Sequence, residues 1–307
     1  MSSWPLLAFV APALWATCNY IDKYLVSKFF SEKDGTSLIM ILAGVISIVI
    51  SLAIGISGVD VFSTSNTVKI VLVINGLLGP IAMFPYYWAI KQEHPIGVVP
   101  IFQTIPIFSY FLGLIFLHEQ LTGLQIAAGL LVVGGAVGLS LELKEGLRFK
   151  YKPFLLMLLS SFILAVSSLI FKKVTVPDSY WVSNFWEYSS FGLATLTVLI
   201  FSRKYRAGFF GMFDRTRYKG MLLSTLEEGL NTVGGLAYAF AILLAPLAVV
   251  SVVVNGLQPF YVFIFGVMLA YFFPKLIDEK QGKIELAQKL FFILVIFAGT
   301  YLLSRAT

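Results

Sequence analysis

The chain has 307 residues, of which 58% are hydrophobic and only 12% charged, and its mean hydropathy is +0.88. A soluble domain carries about 25% charged residues, so this chain has too little polar surface to cover a globule, and lipid is the solvent that fits it. The net charge of +6 sits in short clusters between apolar runs, which excludes the basic face that nucleic-acid binding requires, and the single cysteine, Cys18, excludes an internal disulfide framework.

A bilayer core needs about 20 apolar residues per helix. The first run starts at Trp4 with no Lys or Arg before it, so it reads as a retained helix and not as a cleaved signal. In chain order the expected spans are 4–27, 37–59, 68–91, 95–117, 121–141, 153–173, 180–202, 220–244, 246–273 and 286–304. The last is the shortest apolar run. Spans three and four meet at Glu93-His94-Pro95, and spans eight and nine at Ala245-Pro246; a proline cannot continue the helix before it. Charged residues mark the loops at 142–152, 203–219 and 275–289, and the first of these is the natural linker between halves. All three loops follow odd-numbered spans, so the positive-inside rule puts them in the cytoplasm and both termini outside.

The halves match when slid by about 150 residues. His94-Pro95-Ile-Gly-Val98-Val99 lies over Ala245-Pro246-Leu-Ala-Val249-Val250, and Tyr87 over Tyr238. Pro106 and Gly113 lie over Pro259 and Gly266, two residues further on, and Leu14 and Lys23 over Leu164 and Lys173. A repeat of five helices is odd, so its second copy enters the membrane from the opposite side. The expected fold is an all-α membrane protein of ten transmembrane helices arranged as two inverted five-helix repeats, residues 1–146 and 147–307, an architecture common among secondary transporters.

Charge at mid-bilayer costs about 2.5–3.5 kcal/mol on insertion scales, so intramembrane polar groups need a partner or a wet cavity. Helix eight carries Glu227, Glu228 and Asn231, and Glu227, Asn231, Gly234 and Tyr238 fall on one helical face. Helix one offers Trp15, Asn19 and Asp22 on one face. Helix seven carries Glu187 among aromatic residues, which fits either a cavity or an interfacial belt. Helix six offers Ser161, Ser168, Lys172 and Lys173, and the lysines would reach the interface by snorkelling. Gln103 and Thr104 precede Pro106, and Asn255 and Gln258 precede Pro259. A proline frees a backbone carbonyl, which such neighbours either bond or expose to a cavity. Gly134 and Gly138 form a G-x-x-x-G that permits close helix approach. The histidines, His94 and His118, lie on different segments, and no metal, phosphate-loop or serine-nucleophile motif occurs. No enzymatic activity, metal or cofactor is expected.

The segment Glu119-Gln-Leu-Thr122-Gly-Leu-Gln125, followed by Gly129 and Gly134, comes after an apolar helix. It resembles the end of an EamA-type unit of the drug/metabolite transporter superfamily, as do Trp15 late in the first helix, the length and the duplication. His118 departs from that pattern, where a small residue is usual. In the second half Phe273-Pro274-Lys275 and a charged loop replace the motif, although Gly299 keeps one glycine. Glu119 and Thr122 also read locally as a cap on the fifth helix. The resemblance implies a transporter of small metabolites or drugs, with lipid around it, and termini in the cytoplasm, against the charge count.

Two functions follow. The first is a secondary transporter with a central cavity, coupled to protons through Glu227 or Glu228. Asn19, Gln103, Asn231, Asn255 and Gln258 would supply neutral hydrogen bonds, and Tyr87, Tyr238 and Trp15 aromatic surface. Glu227, sharing its face with Asn231 and Tyr238, is the expected cavity residue. The excess of carboxylates points to a cationic or zwitterionic solute. The second is an integral-membrane lipid-handling protein or enzyme acting on a lipid head group.

Overall fold

Inside lipid every backbone N–H and C=O must find a partner within the chain, and helices achieve this without a neighbouring segment. The computed structural model describes residues 4–28, 35–92, 99–140, 151–176, 179–211, 218–272 and 283–306, and among them every regular element is a helix. The first half comprises α1 (Trp4–Lys28), α2 (Gly35–Ile56), α3 (Asn66–Gln92), α4 (Ile105–Leu112) and α5 (Gly123–Ser140). The second comprises α6 (Tyr151–Val174), α7 (Tyr180–Phe201), a short α8 (Arg203–Gly211), α9 (Tyr218–Leu244), α10 (Leu247–Phe272) and α11 (Lys283–Ala306). Apart from the fourth, the long helices lie within a few residues of the expected spans, and the run expected to be shortest extends to a full helix, Lys283–Ala306.

The fourth span differs. Residues 93–98 lie outside the described ones, and a 3-10 stretch, Val99–Thr104, leads into α4, which ends in a π-turn, Gly113–Leu117. Pro106 occupies the first turn of α4, where its missing N–H costs nothing. It therefore starts a helix here and does not interrupt one. Pro259 does sit inside a helix, α10.

Among the described residues, four helices are long and apolar enough to cross a membrane by length and composition, namely α1, α3, α6 and α10, and shorter apolar stretches fall on α2, α4, α5 and α11. Two others, α7 and α9, fall outside this set, and they carry Glu187, Glu227 and Glu228. Their polar content is what lowers their hydropathy. The outer surface is apolar: Leu52, Phe84, Leu130, Leu193, Phe201 and Leu294 are among many exposed large hydrophobic side chains, a surface that soluble monomers do not carry. The interior centres on α10, whose residues 247–257 are all buried.

Packing pairs the halves element by element. The first helix of one half lies on the third of the other, α1 on α9 and α3 on α6. The second helices pair, α2 on α7, and so do the fifth, α5 on α11. Small residues set the closest approach between α5 and α11. A Cβ on Gly135 would stand 2.8 Å from Ile296 Cγ1 and 3.2 Å from the Phe292 carbonyl oxygen, and one on Gly138 would overlap the Phe292 ring. Gly134, by contrast, faces open space, so the contact pair is Gly135 and Gly138 and not the Gly134/Gly138 motif read from spacing.

Candidate functional site

The α1–α9 contact holds most of the candidate residues. The face expected on helix eight, now α9, packs on α1. The Trp15 indole N–H donates to the Asn231 carbonyl oxygen at 3.3 Å, and the Trp15 and Tyr238 rings lie 5.9 Å apart. Gly234 makes this possible, since a Cβ there would stand 2.8 Å from Trp15 Nε1. One turn away, the Cys18 thiol donates to the Glu227 carbonyl oxygen at 3.4 Å and lies beside the Glu227 carboxyl.

Both acids of α9 are buried, Glu227 to 3% and Glu228 to 5% exposure. Their side chains diverge, because adjacent helical residues point about 100° apart. The Asn231 amide donates to Glu228 Oε2 at 3.3 Å, so the amide expected to share an environment with Glu227 holds Glu228 instead. Glu227 Oε2 has no hydrogen-bond partner among the described residues. Asp22, from α1, acts electrostatically on Glu227, Glu228 and Cys18. Its Oδ1 and the amide nitrogen of Asn19 are likewise buried without a partner. Asp22 is thus a third carboxyl beside Glu227 and Glu228. Among the described residues no group of His, Cys, Asp or Glu is arranged to hold a metal ion.

A second polar group lies where α4, α6, α9 and α10 meet. The Tyr238 hydroxyl is 3.3 Å from Ser168 Oγ and 3.0 Å from Ser251 Oγ, and Ser251 donates to Ser109 Oγ at 3.0 Å. The proline at 259 removes the N–H that would bond the carbonyl four residues earlier, that of Asn255. Gln103 fills the vacancy: its amide donates to the Asn255 carbonyl oxygen at 2.8 Å. The Asn255 amide in turn bonds the Ser251 carbonyl oxygen at 2.8 Å. The freed carbonyl therefore joins two helices of opposite halves, and Gln103 and Asn255 belong to a packing bond. Gln258 is half-buried in α10. Tyr87 lies on α3, but its side chain is outside the described residues.

Glu187 stands apart. It accepts a short hydrogen bond from the Asn75 amide, which also donates to the Ser167 carbonyl oxygen at 3.2 Å. This joins α7, α3 and α6, so Glu187 is held between neighbouring helices. Tyr188, the next residue, lies within electrostatic range of both Glu187 and Glu228.

Glu119 is placed differently from its local reading. Thr122 and Gln125 cap α5 reciprocally without it: the Thr122 N–H donates to Gln125 Oε1 at 2.8 Å and the Gln125 N–H to Thr122 Oγ1 at 3.2 Å. Glu119 instead caps α10, in the other half, accepting the Leu247 N–H at 2.9 Å. Lys172, expected to snorkel, pairs with Glu119 at 2.5 Å. Lys173 is exposed, 5.8 Å from the Phe116 ring centroid. Sequence reasoning passed over Cys18 because no histidine is near it in the chain, and left Lys172 and Glu119 unpaired. Only the packing of distant helices brings either set together. A shallow apolar groove of about 390 Å³ is lined by Ile50, Ala53, Ile54, Ser57, Val59 and Trp181, and none of the candidate residues lines it.

An all-helical fold with an apolar exterior and carboxyl groups in its interior defines a multi-pass integral membrane protein. The family model of the EamA-like transporter family matches residues 2–141. Over this first half the chain is similar to that family, as an EamA-type unit of the drug/metabolite transporter superfamily would be. No curated protein matches the chain in sequence. One solved structure, described only as the crystal structure of a protein, has the same fold, with a TM-score of 0.70, 18% identity, and coverage of 98% of this chain and 96% of that one.

Proposed function

We propose that the protein is a secondary transporter that moves a small polar solute by alternating access between two inverted five-helix units, residues 1–146 and 147–307, with proton exchange at the α1–α9 carboxyl cluster driving export. The observation that carries this reading is the cluster itself. Asp22, Glu227 and Glu228 lie together between α1 and α9, and among the described residues none of them is paired with a Lys, Arg or His. Buried carboxyls without a cationic partner need a proton or a positively charged ligand in its place, and exchange of one for the other is what couples a solute to a proton gradient. The same chemistry favours a cationic or zwitterionic solute, with the Trp15 and Tyr238 rings offering cation–π surface.

The packing supports the duplicated unit. Helices pair across the halves as 1 with 3, 3 with 1, 2 with 2 and 5 with 5, the pattern that exchange of two like units leaves unchanged. The family match to the first half alone agrees with a second copy whose motif has eroded.

Vesicles containing only this protein provide the test. Under an imposed pH gradient they should move an amine-bearing solute, and Glu227→Gln should lower the gradient-driven rate at least about tenfold, an activation difference of about 1.4 kcal/mol, while the protein elutes and unfolds as the parent does. Gradient-driven flux unchanged in Glu227→Gln would remove Glu227 from the coupling.

A further inference from the structure

Glu119 and Lys172 lie outside the carboxyl cluster, yet they join the halves at one end of the bundle. Glu119 follows His118, a non-glycine residue in the left-handed region at φ 54°, where a Cβ is crowded. That turn lets the Glu119 N–H donate to the Gly113 carbonyl oxygen at 3.1 Å and aims the side chain at the other half. Oε1 meets Lys172 Nζ at 2.5 Å, near the end of α6. Oε2 accepts the N–H of Leu247, at the first turn of α10, where free N–H groups and the helix dipole favour negative charge. Lys172 Nζ also donates to the Ala245 carbonyl oxygen at 2.5 Å, in the break between α9 and α10.

One carboxylate and one ammonium thus tie three segments, the α4–α5 link of the first half and two segments of the second. Both side chains keep a small solvent contact, 15% for Lys172 and 17% for Glu119. Behind them Ala248, Val249 and Val250 are buried. The opposite end of the bundle is held differently. There Leu25 and Ile41 form an apolar cluster with Met221, Leu199 and Phe209, and α9, of 27 residues, spans about 40 Å between the two ends. Separating packed apolar groups exposes apolar surface to water, whereas each charge of an ion pair that parts at the edge gains hydration in exchange for its partner.

We propose that Glu119 and Lys172 form a latch that closes the solute path at the end of the bundle holding the α9–α10 join, and that the latch must open each time the two halves rock apart there. The inference rests on the transport reading above. Any rocking that parts the α4–α5 link from α6 and α10 breaks both Glu119 bonds together, and water can replace each of them, while Lys172 keeps the Ala245 carbonyl oxygen within its own half. Lys172 then returns to Glu119 as the halves close.

The test reads the latch separately from flux. Ala248→Cys and Met221→Cys are each placed in a Cys18→Ala background, in lipid nanodiscs where both faces meet solvent, and reaction with a membrane-impermeant maleimide is timed. Ala248→Cys should react slowly with the latch intact. Lys172→Met should speed it at least tenfold, and so should Glu119→Gln with Lys172→Met, which removes the pair without leaving an isolated charge and so guards against misfolding. Met221→Cys should react no faster than before in either background. Unchanged Ala248→Cys labelling in both backgrounds would overturn the latch, and so would a parallel rise at both ends, which marks general loosening. If Ala248→Cys responds as expected but vesicles of the protein move no solute, the latch between the halves stands and the transport reading falls.

Discussion

A single proline shows how a residue sets a contact between distant helices. Pro259 leaves the Asn255 carbonyl without its helical donor, and Gln103, from the other half, supplies one at 2.8 Å. Replacing Gln103 by Leu keeps the volume and removes the donor. A buried acceptor left unpaired costs about 1–3 kcal/mol, so Gln103→Leu should lower the thermal unfolding midpoint, followed by loss of the monodisperse peak on heating, while gradient-driven flux survives in the folded fraction. The two acids of α9 should separate in the same way. Glu228 has a hydrogen bond from Asn231 and Glu227 Oε2 has none. Glu228→Gln should therefore retain much of the flux that Glu227→Gln loses; equal loss in vesicle assays would mean that the pair titrates as one unit.

At the scale of the element, the α5 side of the α5–α11 contact rests on two glycines three residues apart. Gly135 and Gly138 face Ile296 and Phe292, and Gly134 faces outward. Association of helices in lipid depends on such close approach, because lipid tails are as apolar as leucine. Gly135→Leu should force α5 away from α11 and reduce the yield of folded protein, whereas Gly134→Leu should be tolerated; gel filtration of both variants in one detergent separates these outcomes. The spacing of the glycines is visible in the sequence, but three glycines within five residues allow more than one pair. Which of them faces a neighbour depends on the rotation of α5, and α11, about 150 residues away, fixes that rotation.

For the whole molecule, the charged loops should all lie on one face. Gly208 stands in α8, within the loop between the seventh and eighth expected spans. With the termini outside, Gly208→Cys should resist an impermeant thiol reagent added to intact cells and react after permeabilisation. Labelling from outside would reverse the orientation and favour the cytoplasmic termini implied by the family resemblance. An experimental structure should superpose residues 4–141 on 153–304 by a rotation of about 180° around an axis in the membrane plane; halves related without that inversion would remove the repeat.

The sequence by itself determined the solvent, the limits of most helices among the described residues and the polar residues that lipid would not tolerate unaided. These follow from hydropathy over about 20 residues, which is local information. The internal 3-10 stretch and π-turn of the fourth span went unread because they leave no mark on hydropathy. Tertiary structure decided the partners. It gave Asn231 to Glu228, Gln103 to Asn255, Asn75 to Glu187 and Lys172 to Glu119, and it added Asp22 and Cys18 to the carboxyl cluster. Apart from the first, these pairs join segments far apart in the chain. A hydrogen bond or ion pair across helices depends on how each helix is rotated and how deep it sits, and the packing of all of them together sets both.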